Sequence, residues 1–288
     1  MLSVVLIWGI NFSVIKAALH SFSPLAFNAL RFAAATLIMR AIMSLRGESF
    51  ALPRRDLLPV MLLGLSGHTA YQLLFINGIA RTTPANSSLL MATAPVFVAI
   101  YGHVLGIERA NRIIWAGIGL SFVGTLLLIA GGGNGFSLGS RTLAGDLMVL
   151  AAAMLWAAYT TGSKPLLARY SPLKLTALSM LIGTIPLVLV SLPQLLHQDW
   201  GSVPAAAWGG WLYSAVFAVV VGYVFWYTSV QRVGNARTAV YSNLTPVVAI
   251  LVAWLALGDR LTLLQAAGAA VVLAGIMLTR RGRMEVRG

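Results

Sequence analysis

Ten apolar runs, each bounded by Pro, Gly or charged residues, divide the chain at about residues 2–19, 24–44, 57–79, 84–105 and 112–130, then 143–163, 172–192, 206–230, 238–257 and 262–279. Each approaches the roughly 20 residues that a helix needs to cross a bilayer. Unbroken runs of this kind suit helices, because barrel strands would alternate apolar and polar positions over segments of about ten residues. Only 9% of the 288 residues are charged and 59% are hydrophobic, against roughly 25% charged in a soluble domain. The polar side chains are too few to cover a surface in water, so the expected fold is an all-α polytopic membrane protein with ten transmembrane helices. Ten spans use roughly 200 residues, which leaves no room for a separate soluble domain.

Twenty Lys and Arg against seven Asp and Glu give a net charge of +13. A nucleic-acid surface would need these cations on one contiguous face, whereas here they lie in short runs between the apolar segments, and no nucleic-acid partner is expected. Alternate connections hold Arg40, Arg46, Arg54 and Arg55, then Arg109 and Arg112, then Lys164, Arg169 and Lys174, then Arg232 and Arg237, and finally Arg280, Arg281, Arg283 and Arg287, fifteen in all. The other connections hold Arg81, Arg141 and Arg260, and Lys16 and Arg31 fall inside the first two spans. The excess of basic residues in cytoplasmic loops then predicts an even number of spans in a cell inner membrane, with both termini in the cytoplasm.

The chain also repeats itself. Trp8 and Trp156, Lys16 and Lys164, and Ser23-Pro24 and Ser171-Pro172 recur at an offset of 148. Arg81 and Arg232, Ala85 and Ala236, Pro95 and Pro246, Glu108-Arg109 and Asp259-Arg260, Gly117 and Gly268, and Gly124 and Gly275 recur at 151, with Gly106 and Gly258 one position off. This defines two five-helix units, residues 1–135 and 136–288, within one membrane domain. An odd number of spans per unit makes the second enter the membrane from the opposite side, and such inverted repeats are typical of secondary transporters that alternate about a midplane site.

The stretch Gly258-Asp259-Arg260-Leu261-Thr262 with Gly268 and Gly275, and its mate Gly106-Ile107-Glu108-Arg109 with Gly117 and Gly124, resemble the repeated EamA module of the drug/metabolite transporter superfamily. Ser23-Pro24 with Arg31-Phe32 is similar to the second-helix signature of that module, although the second unit has Ser179 in place of Arg31. The resemblance spans nearly the whole chain and implies a ten-helix carrier, most like the bacterial aromatic amino-acid exporters.

Candidate binding groups are polar or aromatic residues deep in the spans. His68, Tyr71, Gln72 and Phe75 follow at i, i+3, i+4 and i+7, a spacing that shares one helical face, and their mates at offset 151 are Val219, Gly222, Tyr223 and Trp226. Trp8 with Asn11 and Trp156 with Tyr159 add two more pairs spaced by three. Together Trp8, Asn11, His68, Tyr71, Gln72, Trp156, Tyr159, Tyr223 and Trp226 predict an aromatic-walled cavity for a zwitterion with an apolar or aromatic side chain, helix packing being the competing use for the tryptophans. Trp200, Trp208 and Trp211 are read as anchors at the membrane surface. Arg31, about two turns into its helix, needs a partner in lipid, and backbone carbonyls, water and a substrate carboxylate are the alternatives, with a structural role favoured.

No Asp or Glu is expected at mid-membrane, since all seven fall in loops or at helix ends. Carboxylate proton relays and carboxylate-bound sodium are therefore disfavoured. Zero cysteines, no histidine pair at ligand spacing and no buried acid pair argue against a metal site, a cofactor or an enzyme. Pro95 and Pro246 are expected to kink the fourth and ninth spans, either as gating hinges or as static bends. The glycine pairs spaced by seven are expected to pack helices within a monomer, a dimer face being the alternative use. The predicted function is export of an amino acid, aromatic or apolar, by alternating access; the alternatives are other metabolites or lipophilic cationic drugs.

Overall fold

A computed structural model describes residues 1–82, 87, 90–131, 143–248, 262–282 and 284–285, and every structural statement below concerns these. The helices are α1 (Leu2–Ala18), α2 (Pro24–Leu45), α3 (Arg54–Arg81), α4 (Ala94–Val104), α5 (Arg112–Ala130), α6 (Leu143–Leu167), α7 (Pro172–His197), α8 (Ala205–Val233), α9 (Asn235–Ala239, running on as a 3-10 turn over Val240–Leu244) and α10 (Leu263–Arg281). Six of them, α2, α3, α6, α7, α8 and α10, are long and apolar enough to cross a membrane. The strands described are a two-residue antiparallel pair, β1 (Arg109–Ala110) and β2 (Met284–Glu285). This is a multi-pass helical membrane protein. Large apolar side chains such as Leu37, Leu58, Leu189 and Met277 are exposed on its outside, where lipid rather than water is the compatible solvent.

Local chemistry sets the helix starts. Pro24 and Pro172 occupy the first turns of α2 and α7, where a missing N–H is harmless. The Ser171 hydroxyl accepts from the Lys174 amide at 3.1 Å, and Thr262 with Gln265 forms a reciprocal capping box at α10.

The connections gather at two ends. At one, Ser171 donates to Glu48 at 2.8 Å, Arg169 pairs with Asp56 at 2.8 Å, Glu108 meets the amide of Asn235, and β1 pairs with β2. At the other, the amides of Ser23 and Leu25 donate to Gln198 and Gln194, Thr82 donates to Asp146, and Thr262 donates to the Gly131 carbonyl. The first group joins Lys- and Arg-rich connections of the sequence to one another, and the second joins Lys- and Arg-poor ones.

Gly117 and Gly124 on α5 face Gly275 and Gly268 on α10. A Cβ added at Gly117 would lie 2.7 Å from the Gly275 carbonyl oxygen, and one at Gly275 would lie 2.7 Å from that of Gly117. The glycines thus allow two backbones of one chain to touch, the small-residue packing usual in membranes.

Two features depart from the helices expected. Pro95 and Pro246 stand where the regular α-helix is interrupted rather than within an unbroken one. Ala92 and Thr93 form a turn between a helical Leu90-Met91 and α4, which restarts at Ala94 with Pro95 in its first turn. Pro246 likewise follows the 3-10 turn that ends at Leu244, where α-helix resumes. The α-helical pattern is interrupted ahead of each proline, by a turn at Ala92-Thr93 and by the 3-10 stretch at Val240–Leu244, because the ring has no N–H to give and clashes with the carbonyl four residues back. Separately, α3 contains a π-helical stretch over Leu65–Ala70 and α8 one over Ser214–Val221. Displaced by 151, the first maps onto residues 216–221, inside the second.

Candidate functional site

A cavity with about 870 Å³ of empty space, its mouth included, opens among six of the helices and the α9 turn. Helix α1 turns Trp8, Asn11, Phe12 and Ile15 towards it, one helical face at i, i+3, i+4 and i+7. Tyr71, Gln72 and Phe75 come from α3, Trp156 from α6, and Ala218, Val219 and Tyr223 from α8. The helix breaks add Met91, Ala92 and Ala94 on one side and Ser242, Thr245 and Pro246 on the other, while Arg31 arrives from α2. An apolar, aromatic-rich lining with few polar groups is the usual form of a small-molecule site.

The lining of α1 and α3 runs from mid-helix towards the end where Gln198 holds Ser23. In the opposite direction the cavity stops at packed rings. Trp8 and Trp156 are 5.5 Å apart edge to face, Trp226 lies 5.1 Å from Trp8 and 5.3 Å from Trp156, and Tyr71 lies 5.3 Å from Trp156. Edge-to-face and tilted aromatic pairs of this kind stabilise by about 0.5–1.5 kcal/mol each beyond their buried area. The Trp8 indole is fixed further by a 2.9 Å hydrogen bond from Nε1 to the carbonyl of Ala218, inside the π stretch of α8. Gly222 makes that approach feasible, since a Cβ there would sit 2.6 Å from the indole nitrogen.

The polar groups form one network. The Gln72 amide Nε2 donates to the Tyr223 hydroxyl at 3.0 Å, and its Oε1 accepts from Arg31 Nη2 at 3.1 Å. Arg31 also donates from Nη2 to Asn28 Oδ1 at 2.6 Å and from Nη1 to the Ser214 hydroxyl at 3.0 Å. Its guanidinium lies over the rings of Phe27 and Phe32, at 5.5 and 5.2 Å from their centroids. Arg31 is only 3% exposed, and among the described residues it pairs with no carboxylate.

Six of the nine residues singled out from the sequence line the cavity: Trp8, Asn11, Tyr71, Gln72, Trp156 and Tyr223. His68, Tyr159 and Trp226 do not. His68 is fully buried behind the wall, its Nε2 bonded to the Tyr159 hydroxyl at 2.6 Å and the Ser179 hydroxyl at 3.1 Å. His68 lies within the π stretch Leu65–Ala70, whose wider i→i+5 turns change the angular register of what precedes Tyr71 relative to Gln72 and Phe75. Tyr159 and Trp226 stand one turn deeper than Trp156 and Tyr223 on their helices, below the floor, with Trp226 Nε1 bonded to Thr160 at 3.3 Å. Pro246 lines the cavity and Pro95 stands just beyond Ala94. Phe12, Ser242 and Thr245 are lining residues that the sequence reading did not single out, although the i+4 spacing of Phe12 from Trp8 was available.

At the basic-rich end Glu108 joins the two halves of the chain. Its carboxylate accepts from the amides of Asn235 at 2.9 Å and Ala236 at 3.4 Å, and Lys164 lies 3.9 Å away. Gly234 makes this entry to α9 by adopting φ +92°, a region open to glycine. Burial raises the Glu108 carboxyl above the ordinary glutamate range, against the opposing pull of the Asn235 amide and Lys164.

Comparison with known proteins gives this architecture its family. The model of the EamA-like transporter family matches residues 1–130 and again residues 143–281. The chain belongs to the EamA-like transporter family. It is a transporter and not an enzyme. Among similar proteins, one from Streptantibioticus cattleyicolor named "Probable terminal-alkyne amino-acid exporter" is 31% identical over 96% of this chain and 91% of its own. The "Probable amino-acid metabolite efflux pump" of Salmonella typhimurium is 31% identical over 96% and 92%. The "Uncharacterized transporter YyaM" of Bacillus subtilis is 28% identical over 96% and 91%. A solved crystal structure superposes with a TM-score of 0.81 at 19% identity, covering 96% of this chain and 93% of that one, a likeness of fold alone.

Proposed function

We propose that this transporter exports amino acids, aromatic and apolar ones favoured, by alternating access across a bacterial inner membrane. The observation that carries this reading is the aromatic-walled cavity at the meeting of the two halves. Residues in equivalent positions of the sequence repeat touch one another: Trp8 and Trp156 through their rings and Gln72 and Tyr223 through a hydrogen bond at the cavity, and Thr36 and Thr184 at 3.0 Å between α2 and α7. Contact between a residue and its own mate is expected only near the axis relating two halves, which is where inverted-repeat carriers bind substrate. The two matches to one family model further support ten spans in two inverted units, residues 1–135 and 136–288.

Both termini are assigned to the cytoplasm from the fifteen-to-three distribution of basic residues. On that assignment the ring cluster of Trp8, Trp156 and Trp226 closes the cytoplasmic side and the cavity faces outward. Asn11 and Gln72, with backbone at the two helix breaks, would meet the polar end of the substrate, while Trp8, Tyr71, Trp156 and Tyr223 form the walls. His68, Tyr159 and Trp226 support those walls from behind. The breaks before Pro95 and Pro246 serve as hinges. The protein acts as a monomer, its small-residue glycine faces being used within the chain.

Purified protein in liposomes, supplied with a panel of amino acids and lipophilic cationic dyes with and without a proton gradient, tests this reading. Saturable movement of phenylalanine, tyrosine or leucine is expected. Movement of dyes and of no amino acid would instead favour a drug exporter.

A further inference from the structure

The charge on Arg31 is the least balanced element of the cavity. A guanidinium offers five N–H donors, and three hydrogen bonds account for Nη2 in full and half of Nη1. Nε, buried, has no partner. All three acceptors, Ser214, Asn28 and Gln72, are neutral, and no Asp or Glu lines the cavity among the described residues. A cation held this deep by neutral groups is costly, and the cost falls when an anion enters. A second residue of the same lining carries an unpaired group: Asn11, whose Oδ1 is buried and accepts no hydrogen bond. Two residues that line one cavity, Arg31 and Asn11, thus each carry a buried polar atom without a partner, a donor on a positive charge and an acceptor, among rings, aliphatic groups and a few neutral polar side chains.

Resting on the reading of this cavity as the substrate site, we infer that Arg31 is its carboxylate anchor, so that the ligands it admits are monocarboxylates with an aromatic or apolar body, the ammonium of a zwitterion being received by Asn11 Oδ1. The faces of Trp8 and Trp156 add cation-π attraction for that ammonium. A lipophilic monocation lacks the anion that Arg31 requires and would bring a second positive charge into a medium that screens it poorly. A dicarboxylate would bring one anion too many for a single guanidinium. The network also explains why Arg31 is held so firmly: Asn28, Gln72 and Ser214 fix the plane of the guanidinium, which pre-orients its remaining donors.

The test is a ligand series on the intact purified protein, read by isothermal titration in detergent and by competition for transport in liposomes. Phenylalanine, 3-phenylpropionate, phenylalaninamide and phenethylamine share one ring and differ in the charged groups. Both carboxylates are expected to bind, and the two ligands without one to bind at least about tenfold more weakly, as expected for loss of a charged hydrogen bond. Arg31→Lys should keep a measurable part of the affinity for 3-phenylpropionate, whereas Arg31→Gln should lose it while binding phenylalaninamide no worse. Should Arg31→Gln fail to fold, the series on the unaltered protein still decides. Equal affinity for phenylalanine and phenylalaninamide would overturn the anchor and leave amino-acid transport standing. Binding of 3-phenylpropionate that depends on Arg31, without binding or transport of any amino acid, would support the anchor and overturn the amino-acid reading instead. Failure of all four ligands to bind would overturn both.

Discussion

Gln72 and Tyr223 lie 151 residues apart, occupy equivalent positions of the two sequence repeats, and share a 3.0 Å hydrogen bond inside the cavity wall. Each holds the other in place, and Gln72 passes the constraint on to Arg31. Removing one partner leaves a buried polar group unpaired, at a cost of about 1–3 kcal/mol. Tyr223→Phe and Gln72→Leu are each expected to lower thermal stability in detergent and weaken binding of phenylalanine severalfold. The double variant should lose less than the sum, because the second change removes a group already orphaned. Strict additivity in a double-mutant cycle would mean that the pair does not act as a unit.

The contact of α5 with α10 makes a separate prediction. A methyl group at Gly275 would lie 2.7 Å from the Gly117 carbonyl oxygen and against the backbone of Ser121. Both are main chain, so the helices must part. Gly275→Ala is expected to destabilise by about 1–3 kcal/mol, as overpacking does. Gly119 has nothing within 4 Å of an added Cβ, and Gly119→Ala serves as the control. Melting curves of the two variants should differ clearly, and a Gly275→Ala protein as stable as the control would contradict the packing described.

Glu108 gives a pH signature. Burial raises its carboxyl above the ordinary glutamate range, so the fold binds this proton more tightly than the unfolded chain does. Linkage then makes its contribution to stability fall as pH rises from the ordinary glutamate range through the raised value. Glu108→Gln, which cannot ionise, should match the wild type at acid pH and gain on it across that window. Glu108→Ala should be less stable than either at acid pH, since the amides of Asn235 and Ala236 lose their acceptor. Melting temperatures of the three proteins at several pH values check the order, and a difference between wild type and Glu108→Gln that is flat in pH would refute it.

At the helix breaks, alanine in place of Pro95 or Pro246 restores an N–H and removes the clash that interrupts each helix. If the breaks are hinges, either change slows transport severalfold at normal expression and with little change in substrate affinity. Turnover in liposomes at saturating substrate reads this directly, and unchanged rates would mean that the bends are static.

Much of the fold was legible in the sequence because its signals are local. Ser23-Pro24 and Ser171-Pro172 mark helix starts that the structure has at Pro24 and Pro172, and the basic residues sort the connections into the two groups seen at the two ends. The mutual fit of Gly117 with Gly275 was implicit in their spacing. What was not legible depends on how helices press on one another. The π stretch at Leu65–Ala70 lies where Gly64 touches the backbone of Ser179 and Gly67 touches the Tyr159 ring, partners from other helices that no local pattern announces. Without that stretch, His68 reads as a cavity residue; with it, His68 is turned to Tyr159. Tyr159 and Trp226 were placed on the correct helices but their depth below the floor was not evident. Arg31 was conspicuous as a charge within a span, yet only the structure brings Gln72 and Ser214 to it and opens it to the cavity. The expected Gly258-Asp259-Arg260 counterpart of the Glu108 corner lies outside the described residues.

The central claim, a saturable site that is offered to each side of the membrane in turn, is tested most directly by counterflow. Liposomes containing the protein are loaded with unlabelled phenylalanine, diluted into a trace of labelled phenylalanine, and followed for internal label. A carrier that alternates about the cavity predicts a transient accumulation of label above its external level, lost when Trp8 or Trp156 is replaced by alanine. Entry of label that only equilibrates, whatever the internal load, would contradict alternating access and point to an open pathway.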